Sequence, residues 1–172
     1  MGTKAPDSAV LTLHGRKISM AKVLAGKPTV VIFFRGGWCP FCNRQLADLA
    51  DRELKLRELG YQIVGISADP PEKLAPVLKA DHIRYRLFSD RDAQFSAAYG
   101  LAYRISPDVG SDYRDNGIEL TPAPDGNGFW LPVPAAYIID RTGTIRFVYM
   151  NRDPSIRIKP DALLAAAKRA AG

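Results

Sequence analysis

The chain predicts an α/β fold, a central mixed β-sheet flanked by helices, organised as one domain over residues 1–172. Two observations carry that prediction. Strand-like apolar runs alternate with helix-like segments from Val30 onward, and the chain ends on a strand hairpin followed by a helix. The run Val30-Val31-Ile32-Phe33-Phe34 is apolar without interruption, which marks a strand covered on both faces. A chain of 172 residues is long enough to bury a substantial core under such a sheet.

In order along the chain, Val10 to Leu13 and Lys17 to Met20, parted by His14-Gly15-Arg16, read as a small N-terminal hairpin. Lys27-Pro28-Thr29 introduces the first core strand, Val30 to Phe34. One helix is expected from about Pro40 to Leu59, with Phe41, Leu46, Leu49, Leu54 and Leu56 at near-helical spacing and Gly60 as its stop. Tyr61 to Ser67 is the next strand. Pro70-Pro71 opens a helix to about Ala80, the second proline suiting a first turn. Arg86 to Phe88 is a short strand whose following Ser89-Asp90 is placed to cap a helix leading to Tyr99. Residues 103–132, rich in Gly, Pro, Asp and Asn, are expected to be an irregular insertion. Ala135 to Asp140 and Ile145 to Tyr149 make a hairpin across Arg141-Thr142-Gly143-Thr144, and a last helix runs from about Pro160 to Ala171.

Composition is that of a globular protein, 47% hydrophobic and 24% charged, with no apolar stretch near the roughly 20 residues a membrane span requires. Met1 to Asp7 shows no apolar core of a signal peptide, so a cytoplasmic location is expected. The net charge of +6 comes from 24 Lys and Arg against 18 Asp and Glu. Those bases are dispersed and accompany no nucleic-acid motif, so the expectation is a basic surface with neither nucleic acid nor membrane as partner.

The two cysteines stand three apart in Trp38-Cys39-Pro40-Phe41-Cys42, directly after the core strand and at the head of a helix. In a reducing compartment a pair so spaced is redox-active or metal-binding before it is a structural staple. Free N–H groups and the helix dipole favour thiolates there. Residues three apart share one helix face, so the sulfurs can meet. Pro40 suits the first helical position, which puts Cys39 at the cap and Cys42 in the first turn. Lys27 to Arg44 contains no carboxylate while Arg35 and Arg44 flank the pair, a balance that again favours thiolate. Zinc would want four ligands, and the remaining candidates, His14 and His82, are isolated, so no metal is expected. Trp38 reads equally as a core aromatic and as a shield for the sulfurs. Arg35, at the strand exit, is a candidate supporting residue. Val133-Pro134 precedes an apolar strand, where proline marks an edge, a turn or a cis bond.

With these motifs in place the chain resembles the thioredoxin-like superfamily, and more closely its peroxiredoxin-like branch, the alkyl hydroperoxide reductase and thiol-specific antioxidant family. The likeness runs from about residue 9 to 165. It rests on Phe33 to Cys42 as the active-site loop and on the later landmarks Ile66-Ser67-Ala68-Asp69, Phe88-Ser89-Asp90 and Ala98-Tyr99-Gly100. Tyr137 to Arg146 looks like the family's terminal hairpin. Laid on that family's Pro-x-x-x-Thr-x-x-Cys loop, the chain has Cys42 as the attacking cysteine, Cys39 in the threonine's place and Arg35 in the proline's. Pro134 stands near the place of the family's distant arginine and resembles the cis-proline of thioredoxins. The buried carboxylate of thioredoxins has no counterpart in Val30 to Gly37.

The resemblance implies a thiol–disulfide oxidoreductase with an antioxidant role, needing no cofactor and cycling a Cys39–Cys42 disulfide. In a thioredoxin-like order Cys39 attacks a disulfide and Cys42 resolves. In a peroxidase order Cys42 attacks peroxide and Cys39 condenses with the sulfenic acid. The partners implied are a disulfide or peroxide substrate and a thiol reductant of thioredoxin or glutathione type, and homodimers are common in the family. Trp38, Arg35, Pro40, Val133 and Pro134 are the expected surroundings of the pair. A reading of another class is a binding or redox-sensing module on the same fold, with Tyr103, Tyr113, Phe129 and Trp130 of the insertion as contact surface; the insertion reads equally as a lid.

Overall fold

A computed structural model describes residues 2–80 and 82–171. Seven strands form one sheet in the order β2-β1-β5-β4-β3-β8-β9. They are β1 (Ala9–Leu11), β2 (Lys17–Ser19), β3 (Thr29–Phe34), β4 (Gln62–Ser67), β5 (Arg86–Ser89), β8 (Ala135–Ile139) and β9 (Ile145–Met150). β3, β4 and β5 run parallel, whereas β8 lies antiparallel to β3, and β9 and β1 lie antiparallel to β8 and β5. The sheet is mixed, as expected.

β3 is buried at every position because both of its faces are covered. Val30, Ile32 and Phe34 meet Leu46 and Leu49 of α2 (Pro40–Ala50), Leu74 and Val77 of α4 (Pro71–Ala80) and Leu163 of α7 (Pro160–Ala171). Val31 and Phe33 point the other way, to Met20 and Val23 of α1 (Met20–Leu24) and Phe95 of α5 (Gln94–Ala98). The strand's period of two thus splits one apolar run between two cores. Burying a residue the size of Phe33 or Phe34 stabilises the fold by about 1.5–3 kcal/mol.

Several boundaries differ from expectation. Met20 starts α1 instead of ending a strand. The expected helix 40–59 is two, α2 and α3 (Glu53–Glu58), parted at Asp51-Arg52. Cys42, Leu46, Leu49, Glu53 and Leu56 form its inward stripe, leaving Phe41 and Leu54 exposed. Gly60 does end the segment, at φ +84, with the Tyr61 N–H returning to the Leu56 carbonyl. The cap position of α5 is Ala93, and Asp90, three residues earlier, reaches over it, its carboxylate accepting the Phe95 and Ser96 N–H groups.

The segment 103–132 is more ordered than its composition suggests. β6 (Ala102–Ile105) and β7 (Phe129–Pro132) pair as a second sheet around α6 (Pro107–Asp115), whose start is capped by Ser106. Ala68, Leu120 and Leu131 form a small third core there, against Trp38, Tyr103 and Tyr113. Every peptide bond among the described residues is trans, so the expected cis-proline at Pro134 is corrected. The Val133 N–H donates to the Leu101 carbonyl, and the trans bond carries the chain straight from the small sheet into β8 of the large one. Among the described residues no helix is long and apolar enough to cross a membrane.

Candidate functional site

The site is built where β3 runs out. Past Phe34 the loop Arg35-Gly36-Gly37-Trp38 leads from the end of β3 into α2 through Cys39. Cys39 is the cap residue with extended backbone, and its carbonyl accepts the N–H groups of Cys42 and Asn43, both at 3.0 Å. Pro40 takes the first helical position, exposed, where its missing N–H costs nothing. The glycines permit the close approach of Asp69, from the loop after β4. A Cβ on Gly36 would stand 2.7 Å from the Asp69 carboxylate, and the Gly37 N–H donates to that carboxylate at 2.7 Å.

Cys39 and Cys42 are both free thiols, 1% and 0% exposed. The Cys42 thiol hydrogen-bonds the Cys39 sulfur and lowers the Cys39 pKa to about 6; burial works against this, while the Cys42 backbone N–H and the charges of Arg35 and Arg157 assist. The same shared proton, together with burial, pushes Cys42 up. Two groups so coupled titrate as a pair, with the first proton leaving from Cys39. At pH 7 the pair therefore shares one proton between its two sulfurs, with the negative charge favoured on Cys39.

Around the sulfurs the structure gathers two arginines. Arg35 is 7% exposed, with Trp38 stacked on its guanidinium at 4.8 Å. It donates a hydrogen bond to the Tyr113 hydroxyl and its charge acts on the Tyr103 hydroxyl, both from the insertion. Arg157, in the segment between β9 and α7, donates to the Cys42 sulfur at 3.3 Å. Arg44, expected to flank the pair, is exposed and is not among the charges acting on it. Trp38 packs on the core, the first of its two readings, and its ring sits edge-on to Tyr113 beside Arg35.

Val133 and Pro134 reach the same end of the sheet, since Ala135 pairs with Phe33; the Val133 N–H donates to the Leu101 carbonyl and the Pro134 carbonyl accepts the Asn151 N–H. Proline, lacking an N–H, ends the ladder there. His14 and His82 are exposed. Among the described residues no three His, Cys, Asp or Glu side chains converge as a metal set.

Sequence reasoning missed Asp69 and Arg157. Asp69 is 4% exposed and supplies a carboxylate against the loop that has none of its own. Burial raises its pKa, opposed by the Gly37 N–H, Lys73 and the Trp38 indole N–H. The motif Ile66-Ser67-Ala68-Asp69 had marked the position; its approach to Gly37 depends on β4 lying beside β3. Arg157 lies 115 residues from Cys42, and no local signal distinguished it from the other surface bases.

A mixed sheet that delivers a Cys-x-x-Cys pair from a central strand onto a helix N-terminus defines a protein of thioredoxin-like fold. The whole chain has that architecture's solved counterparts. Peroxidoxin BcpB from Mycobacterium tuberculosis matches with a TM-score of 0.75 at 20% identity, covering 98% of this chain and 96% of that one. Reduced Prx3 from Vibrio vulnificus, solved in complex with H2O2, matches at 0.77 and 19% identity over 96% and 97%. The model of the AhpC/TSA family matches residues 1–148, and the chain belongs to that family. Among relatives, the chloroplastic peroxiredoxin Q of Suaeda salsa is 28% identical over 152 residues, 88% of this chain and 60% of that protein. The chain spans about three fifths of the length of the first curated relatives it matches.

Proposed function

We propose that the protein is a thiol-dependent reductant of small hydroperoxides, with Cys39 as the attacking thiolate and Cys42 as the resolving thiol. The observation that carries this is the shared proton, which leaves Cys39 ionised near neutral pH and Cys42 protonated beside it. Family membership supports peroxide chemistry. Exposures of 1% and 0% favour an oxidant small enough to enter a closed site over a protein disulfide.

The Cys39 thiolate attacks one peroxide oxygen, the O–O bond breaks, and the departing alkoxide or hydroxide takes a proton; Cys39 becomes a sulfenic acid. The Cys42 sulfur then attacks that sulfur and water leaves, giving the Cys39–Cys42 disulfide. Two external thiols return the pair to dithiol and leave as their own disulfide. A reducing compartment such as the cytoplasm would supply them.

A second reading reverses the order, with Cys42 attacking. The Arg157 guanidinium at 3.3 Å and the Arg35 backbone N–H, both on the Cys42 sulfur, favour it. Cys39→Ser and Cys42→Ser proteins, each treated with hydrogen peroxide and a sulfenic-acid probe, separate the two. Label on Cys39 in the Cys42→Ser protein, and none on Cys42 in the other, is the expected result. The opposite labelling replaces this order by the second, and peroxide left unconsumed by wild type ends the peroxidase reading.

A further inference from the structure

Arg35 is a buried cation whose charge is answered by no carboxylate among the described residues. It is 7% exposed, and it enters none of their ion pairs. Its Nε has no hydrogen-bond partner. Its neighbours are the indole of Trp38, the ring and hydroxyl of Tyr113 and the hydroxyl of Tyr103, all uncharged. A permanent positive charge withdrawn from water needs an anion nearby. In the reduced protein that anion is the Cys39 thiolate, on which Arg35 acts and which also lies within reach of Tyr103.

Oxidation removes it. Once Cys39 is in a disulfide the guanidinium keeps its charge and loses that negative neighbour, while two neutral phenols remain on a fork whose geometry matches a carboxylate. Resting on the disulfide cycle proposed above, we infer that Arg35, with Tyr103 and Tyr113, forms a carboxylate subsite in the oxidised protein, and that the reductant it selects is a small thiol bearing a carboxylate a few bonds from its sulfur.

In the reductive half of the cycle the reductant's thiolate attacks the Cys39 sulfur, the S–S bond breaks, and its electron pair goes to Cys42, which takes up a proton. In the mixed disulfide the reductant's carboxylate displaces the Tyr113 hydroxyl from Arg35. A second reductant thiolate attacks the first reductant's sulfur, and Cys39 leaves as a thiolate, regaining the charge that Arg35 requires. The tyrosines of the insertion thus cover the cation while the thiolate is present and yield to a carboxylate when it is not.

The test uses peroxide-oxidised full-length protein and three thiols of different charge, 3-mercaptopropionate, 2-mercaptoethanol and cysteamine, with rate constants compared per thiolate. The anionic thiol is expected to be faster than the neutral one by about tenfold, the size of one charge-assisted hydrogen bond, and the cationic one slowest. Arg35→Gln should erase that ratio and Arg35→Lys keep part of it. Propionate, which has no thiol, should bind the oxidised wild type, read by tryptophan fluorescence, and not the reduced form. Equal rate constants for the three thiols in wild type overturn the subsite without recourse to any variant, as does an anionic advantage that survives in Arg35→Gln. If dithiothreitol fails to restore both thiols to the oxidised protein, the disulfide cycle itself is wrong and the subsite falls with it.

Discussion

Replacing Cys42 by alanine tests the proton-sharing on which the order of attack depends. The Cys42 thiol is the largest influence lowering Cys39 from the usual thiol value of 9.0 to about 6. A hydrogen bond to a charged group is worth about 1.5–3 kcal/mol, and one pKa unit is about 1.4 kcal/mol, so its loss should raise Cys39 by about 1–2 units. Arg35, Arg157 and the backbone N–H at position 42 stay, so the value should settle at about 7–8 and not return to 9.0. At pH 7 the thiolate fraction then drops from about nine-tenths to between about one-half and one-tenth. The direction follows from the acid being a thiol: stabilising its charged form lowers its pKa, and withdrawing the donor lets the neutral form persist to higher pH. The assay is the rate of iodoacetamide alkylation at Cys39 against pH, read by peptide mass. Wild type should lose reactivity only below about pH 6, and the variant one to two units higher. A midpoint that stays near 6 in Cys42→Ala would refute the shared proton and leave the backbone N–H at position 42 and the arginines as the cause.

Two further predictions concern the frame of the site. Asp90→Ala leaves the buried N–H groups of Phe95 and Ser96 without an acceptor and should cost about 2 kcal/mol in urea denaturation at unchanged m-value; a loss under about 0.5 kcal/mol contradicts the capping role. Gly36→Ala puts a methyl group against the Trp38 indole and 2.7 Å from the Asp69 carboxylate. It should destabilise by about 1–3 kcal/mol and shift the tryptophan emission, since the indole must leave Asp69; wild-type stability and spectrum together would show that the loop has room.

Local signals were read correctly where the cause is local. Continuous apolar residues from Val30 to Phe34 foretold a strand covered on both faces, and Gly60 ended its helical segment by its positive φ. Pro40 foretold the first turn of α2, and with it the cap position of Cys39. Near-helical spacing groups Phe41 and Leu54 with Leu46, Leu49 and Leu56, yet both are exposed and Glu53 is buried instead, its carboxylate held by Arg57. The insertion's Gly and Pro content concealed β6 and β7 because their pairing joins residues far apart in the chain.

By itself the sequence determined that two sulfurs would share the first turn of a helix at the exit of a buried strand, because spacing of three and a first-turn proline act within a few residues. It also identified the family, through motifs spread along the chain. The tertiary structure decided what surrounds those sulfurs. Arg157 arrives from 115 residues away, Asp69 from the neighbouring strand's end, and Tyr113 from a second sheet's connecting helix. Each acts through space over a few ångströms. The charge and the proton that set thiol chemistry depend on such distances, and only the folding of the whole chain establishes them.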